Sequence, residues 1–155
     1  KMQHTGELYQ DRAKLRKLIQ AGIDTARAQG ANVNNAVVMG YCFGGAAVLE
    51  HARAGADAKG FVSFHGGLTT PQGQSYASTK GSVLVFHGSA DTMISLQDLA
   101  QLGTELEQHT IPHELISYGG APHAFTVFGS DRYRENADTQ SWRRFLDYLK
   151  ATLRK

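Results

Sequence analysis

The chain has 155 residues, of which 41% are hydrophobic and 19% charged, and its 16 basic and 14 acidic side chains give a formal net charge of +2. This length suffices for a domain that buries about 70% of its unfolded surface. No block of like charge stands out, so the basic footprint of a nucleic-acid-binding protein is missing. No apolar run reaches the roughly 18 residues of a membrane span. We therefore expect neither nucleic acid nor a membrane as a partner.

The N-terminal stretch carries apolar residues at three- and four-residue steps, which predicts a helix from about Tyr9 to Gln29 that ends at Gly30. The segment from Lys1 to His4 has no hydrophobic core of a signal peptide. The chain also has a single cysteine, which excludes an intrachain disulfide and a cysteine-based zinc site and fits a reducing compartment. These features predict a cytoplasmic protein.

The nine residues around Cys42, VVMGYCFGG, form an apolar run that ends in Gly-x-Cys-x-Gly before a helix-compatible segment, residues 46–54. A strand, a tight turn and a helix in this order are the context of a nucleophile elbow. Strand and helix approach closely there, so Gly40 and Gly44 should have little room for a Cβ atom. We expect Cys42 at an exposed tip with strained backbone, where the helix N-terminus favours the thiolate. The alternative is a small buried hydrophobe.

The rest of the chain alternates strands with helices. Ser95 and Asp98 form a capping box that predicts the start of a helix. Strands are predicted at 36–39, 59–64, 82–86 and 112–118, a loop at 69–80, and a last helix whose inner face runs from 142 to 153. Strands that alternate with helices predict a parallel sheet covered on both faces, an α/β fold. With no linker to divide the chain, residues 1–155 are interpreted as one domain.

Four candidate reactive side chains follow predicted strands, and the site of an open parallel sheet lies at such strand ends. They are Cys42, His65, Asp91 and His123. A thiol nucleophile needs a base, and the base needs an acceptor that orients it. We assign His123 as the base and Asp91 as the orienting group, in the chain order that α/β-hydrolases use. Taken singly, Asp91 also fits a turn and His123 a surface loop.

The remaining histidines carry weaker signals. His65 opens a His-Gly-Gly sequence like the lipase oxyanion motif, but it follows the nucleophile, so we interpret it as pocket lining or tight backbone packing. His87 is expected to be packed and hydrogen-bonded, positioning the Asp91 loop. The other histidines lack partners at ligand spacing, so we expect neither a metal ion nor a cofactor.

Three motifs together resemble the dienelactone hydrolase family of α/β-hydrolases, over nearly the whole chain from about Tyr9. They are GYCFGG at 40–45, HGSAD at 87–91 and YGGAPHAF at 118–125. The resemblance implies a triad of Cys42, His123 and Asp91. It also implies attack of the thiolate on an ester or lactone carbonyl, followed by hydrolysis of an acyl-enzyme, with Phe43 giving one oxyanion N–H.

The family fold has several strands before the helix that opens this chain. The resemblance places the second oxyanion donor in that earlier part, together with an acidic residue that modulates the resting cysteine. We therefore expect this chain to be the C-terminal portion of the fold. It would be a fragment of a longer protein, a chain completed by an N-terminal segment or by a copy of itself, or a degenerate form.

Dienelactone hydrolase also carries an arginine just after its catalytic histidine, whereas residues 124–128 have no positive charge here. Arg132 and Arg134 lie a few residues further on. The sequence therefore favours a general carboxylesterase or thioesterase-like activity on a less charged small-molecule ester or lactone. The residues expected to line the substrate pocket are Tyr41, His65 and Phe125, with apolar walls from Phe43, Phe125 and Phe128.

Two other functions compete with hydrolysis. A non-catalytic binding or assembly module would use the open sheet edge that missing strands leave, because such an edge pairs with another chain. A redox-sensing thiol would also use an exposed Cys42, but the chain has no resolving cysteine, so we rank it last.

Overall fold

The structure is a computed structural model that describes residues 2–153. Its sheet has four parallel strands, neighbours in space in the order in which they occur along the chain. The strands are β1 (Val37–Tyr41), β2 (Gly60–Phe64), β3 (Ser82–Gly88) and β4 (His113–Tyr118). The helices are α1 (Met2–Gln10), α2 (Arg12–Ala28), α3 (Phe43–Arg53), α4 (Leu96–Gln108) and α5 (Glu135–Thr152), with a 3-10 turn at Val33–Asn35.

Two separate cores cover the two faces of this sheet, because successive side chains of a strand point to opposite faces. On one face Phe61, Val83 and Val85 pack against the leucines of α3 and α4. On the other face the buried residues of β2 and β3 pack against α5; they include Val62, Leu84, Phe86, Phe145 and Tyr148. The predicted α/β fold, a parallel sheet with helices on both faces, is confirmed.

The connection between β2 and β3 has no helix and consists of loop and turn residues, 65–81. Leu68 and Tyr76 of this loop are buried in the core beside α3 and take the place of a helix there. The hydroxyl of Tyr76 accepts a hydrogen bond from Arg53 of α3, at 2.8 Å. The loop predicted at 69–80 is therefore present, and it is well packed.

The N-terminal helix differs from the prediction. One helix from about Tyr9 to Gln29 was expected, but the chain forms α1 and α2 with a break at Asp11. The Asp11 side chain accepts a hydrogen bond from the backbone N–H of Lys14 and so caps α2, an interaction that starts a new helix. Among the described residues, no helix is both long enough and apolar enough to cross a membrane.

A buried carboxylate joins α2 to α3. Glu50 is fully buried and accepts hydrogen bonds from Arg16 (2.6 Å), Arg53 (2.9 Å) and Gln74 (3.0 Å). Burial by itself raises the pKa of Glu50, but the hydrogen bonds from Arg53 and Arg16 outweigh it and bring the pKa below its usual value. Glu50 is thus held in its charged form, and the ion pairs fix α2 against the helix that follows Cys42.

Candidate active site

Cys42 lies at the tip of a sharp turn between β1 and α3. Its side chain is exposed, and its backbone is strained, with φ 53° and ψ −118°. The turn is tied to the sheet because the backbone N–H of Cys42 donates to the carbonyl of Phe64, at 3.0 Å. The structure therefore has the geometry of a nucleophile elbow, with a thiol at the position of the nucleophile.

The elbow is packed so tightly at Gly40 and Gly45 that neither position has room for a Cβ atom. A Cβ atom on Gly40 would lie 2.3 Å from the carbonyl carbon of Gly44, and one on Gly45 would lie 2.4 Å from the Ser63 hydroxyl. A Cβ on Gly44 would meet nothing within 4 Å. The expectation that Gly44 lacks room is therefore wrong, because the position that its Cβ would take points into open space.

His123 and Asp91 complete a continuous chain of contacts from the thiol. The Cys42 sulfur lies 3.2 Å from Nε2 of His123, and Nδ1 of His123 lies 2.8 Å from Oδ2 of Asp91. The structure thus brings together the three side chains assigned from sequence. Their catalytic roles remain a prediction.

Asp91 uses its two oxygens differently. Oδ2 faces His123, while Oδ1 accepts the backbone N–H groups of Met93 (2.8 Å) and Ile94 (3.0 Å). Burial alone raises the pKa of Asp91, but the hydrogen bonds from Ile94, Met93 and His123 outweigh it and lower the pKa. Asp91 therefore stays a carboxylate near neutral pH, and it stabilises positive charge on the imidazole. It also closes its local turn, which confirms the turn interpretation of this aspartate, while its orienting role remains a prediction.

The loops that carry Asp91 and His123 are bound to each other. The backbone N–H of Ser89 donates to the carbonyl of Tyr118 (2.9 Å), and that of Ala90 donates to Ala121 (3.0 Å). His87 is buried, and its Nε2 donates to the carbonyl of Ile94 at 2.9 Å. The expectation that His87 is packed, hydrogen-bonded and supports the Asp91 loop is confirmed.

A cavity of about 620 Å³ opens beside the Cys42 sulfur. Its lining residues are Tyr41, Cys42, His65, Met93, His123, Ala124, Thr126, Val127 and Arg132. Tyr41 and His65 were both expected here. Met93 and Thr126 were not, and the signal that could have found them is that each lies two or three residues after a triad residue on the same loop.

Phe125 and Phe128 do not line this cavity. Phe125 is fully buried in the core on the α5 face, where it packs beneath the ring of His65, with ring centroids 5.3 Å apart. Phe128 is 85% exposed and packs against Tyr133 outside the cavity. Both expectations are therefore corrected: the turn after His123 points Phe125 inward, and the apolar walls come from Met93, Val127 and Ala124 instead.

Phe43 is the first residue of α3. The first N–H groups of a helix have no partner within the helix, so this N–H is available beside the sulfur, as an oxyanion donor requires. The Phe43 ring packs edge-on against Tyr9, with centroids 5.1 Å apart, and is not part of the cavity wall. The expectation of an apolar wall from this ring is thus also corrected, while its backbone role remains a prediction.

Arg132 is the one lysine or arginine among the described residues that line the cavity. Arg134 instead donates to the carbonyls of Asp131 and Tyr133. Within residues 2–153, no three histidine, cysteine or acidic side chains lie close enough together to hold a metal ion.

A parallel sheet that presents a thiol at a strand-to-helix elbow, backed by a histidine and an aspartate from later strand ends, defines an α/β-hydrolase fold. The chain matches the model of the dienelactone hydrolase family over residues 1–153 and belongs to that family. The resemblance seen in the three sequence motifs is confirmed.

Two curated relatives are similar to most of this chain. It is 32% identical over 123 residues to a probable 2-oxo-3-(5-oxofuran-2-ylidene)propanoate lactonase of Bradyrhizobium, covering 73% of this chain and 49% of the lactonase. It is also 32% identical over 120 residues to an uncharacterized protein of Caenorhabditis elegans, covering 72% of this chain and 76% of that protein.

A solved structure of similar fold is a dienelactone hydrolase-like promiscuous phosphotriesterase from metagenomic libraries. It superimposes with a TM-score of 0.86 at 30% identity, covering 95% of this chain and 65% of that protein. The chain therefore spans about two thirds of this structural relative and about half of the lactonase.

Proposed function

We propose that this chain carries the catalytic triad of a hydrolase that cleaves ester or lactone bonds through an acyl-enzyme. The observation that carries the proposal is the unbroken series of contacts from the Cys42 sulfur through the His123 ring to the Asp91 carboxylate, at 3.2 and 2.8 Å. The lactonase name of its Bradyrhizobium relative supports the same class of reaction.

Acylation would begin when the Cys42 thiol gives its proton to Nε2 of His123. The thiolate attacks the substrate carbonyl carbon and forms a tetrahedral intermediate, whose oxyanion accepts a hydrogen bond from the Phe43 N–H. His123, held by Asp91, then gives the proton to the leaving oxygen. The carbon–oxygen bond breaks, and a thioester on Cys42 remains.

Deacylation reverses these roles. A water molecule loses a proton to His123 and attacks the thioester carbonyl, and the carbon–sulfur bond breaks as His123 returns a proton to the sulfur. The products are a carboxylic acid and an alcohol, or one hydroxy acid from a lactone. The negative charge of Asp91 stabilises the imidazolium that exists in both halves of the reaction.

The cavity suggests which substrates fit. Its volume of about 620 Å³ lies within the range of small-molecule sites, and Met93, Ala124 and Val127 give it apolar walls beside Cys42. A small ester or lactone with an apolar acyl group suits such a site. Arg132 at the same cavity would favour substrates that carry a negative charge away from the scissile bond.

The test is hydrolysis of p-nitrophenyl acetate by the whole chain and by Cys42→Ala and His123→Ala. We expect Cys42→Ala to abolish turnover and His123→Ala to reduce it by about 10³-fold or more, as in other triads. Because Cys42 is the only cysteine, the intact mass of protein quenched early in turnover should show a single acetyl group in the unsubstituted chain and none in Cys42→Ala.

His51→Asn is the control, because His51 is a buried histidine of α3 outside the triad. Turnover that persists in Cys42→Ala would contradict the proposal. Folded protein that shows neither turnover nor acetylation would also contradict it, and would favour the alternative of a binding or assembly module. A chain that works with Phe43 as its one oxyanion donor should be slower by about 10²–10³-fold than one with two donors.

A further inference from the structure

His65 is a buried histidine beside the triad that the proposed reaction does not use. It directly follows β2 and is 2% exposed, and its backbone lies in the left-handed region at φ 39°. Its Nδ1 has no hydrogen-bond partner from another described residue. A bulky residue in this conformation and a buried nitrogen without a partner both cost stability, and such costs concentrate at functional sites.

The other ring nitrogen of His65 reaches the loop that carries His123. Nε2 of His65 lies 2.8 Å from the Thr126 hydroxyl, three residues after His123. The ring of His65 also packs edge-on against the ring of His123, with centroids 5.4 Å apart. Between His123 and Thr126, Ala124 has φ 63°, so this short turn is strained. The contact with His65 holds its shape together with the backbone hydrogen bond from Arg134 to Phe125, at 2.9 Å.

We propose that His65 is a positioning residue, which fixes the turn after His123 through Thr126 and so holds the His123 ring against the Cys42 sulfur. This inference rests on the proposed function. His65 would act through two contacts, the hydrogen bond to Thr126 Oγ1 and the ring contact with His123. Together they hold the imidazole between Asp91 on one side and the thiol on the other.

The charge state of His65 suits this role. The titratable groups that face it are His123 and Asp91 from neighbouring strand ends and Tyr41 from β1. Burial, followed by the proximity of His123, lowers the pKa of His65 from 6.5 to about 4. Near neutral pH a neutral ring therefore supports His123 without repelling the positive charge that His123 gains during the reaction.

The test compares Thr126→Val, which removes the hydroxyl at constant shape, with Thr126→Ser, which keeps it. We expect Thr126→Val to lower kcat for p-nitrophenyl acetate by about 3- to 10-fold with little change in KM, the size expected for one lost hydrogen bond. Thr126→Ser should restore most of the loss. Thr104→Val, the same change at an exposed position of α4, is the control.

A double-mutant cycle with His65→Asn separates positioning from packing. Asparagine tolerates the left-handed backbone but is too short to reach Thr126. If both residues act through one hydrogen bond, the double variant should be no slower than His65→Asn alone. The alkylation rate of Cys42 by iodoacetamide at pH 6, read by intact mass, should fall in parallel, because a displaced imidazole no longer accepts the thiol proton.

Equal kcat in Thr126→Val and Thr126→Ser, or fully additive losses in the cycle, would overturn the positioning role. An unsubstituted chain without Cys42-dependent turnover would instead overturn the proposed function. In that case the alkylation rates still decide the positioning role: an unchanged rate in Thr126→Val contradicts it, and a slower rate supports it.

Discussion

Gly40 and Gly44 lie so close across the elbow that a Cβ on Gly40 would sit 2.3 Å from both the carbonyl carbon and the carbonyl oxygen of Gly44. That atom would collide with backbone, which cannot rotate away as a side chain can. Gly40→Ala should therefore force β1 and α3 apart and displace Cys42. We expect it to abolish esterase activity and to lower the free energy of unfolding by several kcal/mol, measured by urea denaturation.

Gly44→Ala is the matched control, because its Cβ would meet nothing within 4 Å. Gly44 lies in α3, where alanine is favoured over glycine by about 1 kcal/mol. This variant should be as stable as the unsubstituted chain or slightly more so, with activity retained. Equal losses of activity and of unfolding free energy in Gly40→Ala and Gly44→Ala would show that the contact between Gly40 and Gly44 is not what requires glycine at these positions.

Glu50 should be essential for stability through its charge. Arg53 is almost fully buried, and Glu50→Gln would leave its guanidinium without the carboxylate that compensates it. We expect a loss of about 3 kcal/mol in the free energy of unfolding, typical of a broken buried ion pair. Activity per folded molecule should change little, because Glu50 does not contact the triad.

The control for this variant is Glu114→Gln, which breaks the ion pair between Glu114 and Arg144 on the protein surface. The Arg144 and Glu114 side chains are 37% and 41% exposed, so the loss should not exceed about 1 kcal/mol. If urea unfolding gave similar losses of unfolding free energy for Glu50→Gln and Glu114→Gln, burial of the ion pair would not be the reason for the cost at Glu50.

The sequence was sufficient to predict the sheet, the elbow and the contacts that join Cys42, His123 and Asp91. The apolar runs of the strands and the glycine at position 40 are local signals that the structure bears out, and the residues assigned from sequence lie at strand ends as expected of a parallel sheet. The pocket walls were predicted less well. Whether Phe125 faces the cavity or the core depends on the turn at Ala124, whose φ of 63° reverses the chain, and alanine gives no sequence sign of such a conformation.

The other errors have one local cause and one tertiary cause. The break at Asp11 comes from a single capping hydrogen bond inside an otherwise continuous helical pattern. The role of Thr126 depends on a contact with His65, 61 residues earlier in the chain, and no spacing rule links the two. Contacts of this kind become visible only when strand ends are placed side by side.

Arg132 should set the preference for substrate charge. Among the described residues that line the cavity, it is the one arginine, and there is no lysine. Because Arg132 is exposed, Arg132→Gln should raise KM for an ester with a carboxylate on its acyl chain by only about 2- to 5-fold, up to about 1 kcal/mol, and leave KM for a neutral ester unchanged. A parallel change for both esters, measured at one ionic strength, would mean that Arg132 acts on cavity shape instead.

The buried His65 should make the fold sensitive to mild acid. Its pKa is about 4 in the folded state against an ordinary 6.5, so between these values the unfolded chain binds a proton that the folded chain does not. Stability therefore falls as pH drops from 6.5 towards 4, by about 3 kcal/mol in total. The measurement is urea unfolding at several pH values in this window.

His65→Asn removes the titrating ring, so its stability should fall less across the same window. The quantity to compare is the difference in unfolding free energy between the unsubstituted chain and the variant, which should shrink as pH falls. A constant difference from pH 7 to 4 would show that His65 is protonated as readily in the folded state as in the unfolded one.

Asp91→Asn tests the orienting role without disturbing the loop. The amide oxygen can still accept the N–H groups of Met93 and Ile94, which bind Oδ1 in the structure. The amide nitrogen, however, would replace Oδ2 and present a donor to Nδ1 of His123. The imidazole would then carry its proton on the nitrogen that faces sulfur, where it cannot accept one.

We therefore expect Asp91→Asn to lower kcat for p-nitrophenyl acetate by about 10³–10⁴-fold, as the equivalent change does in a serine triad, with a melting temperature close to that of the unsubstituted chain. Asp91→Ala should lose activity to a similar degree and stability as well, because the two backbone donors of the loop lose their acceptor. If Asp91→Asn kept more than a tenth of the activity, His123 would be oriented by its loop and by His65, and the carboxylate would serve the fold.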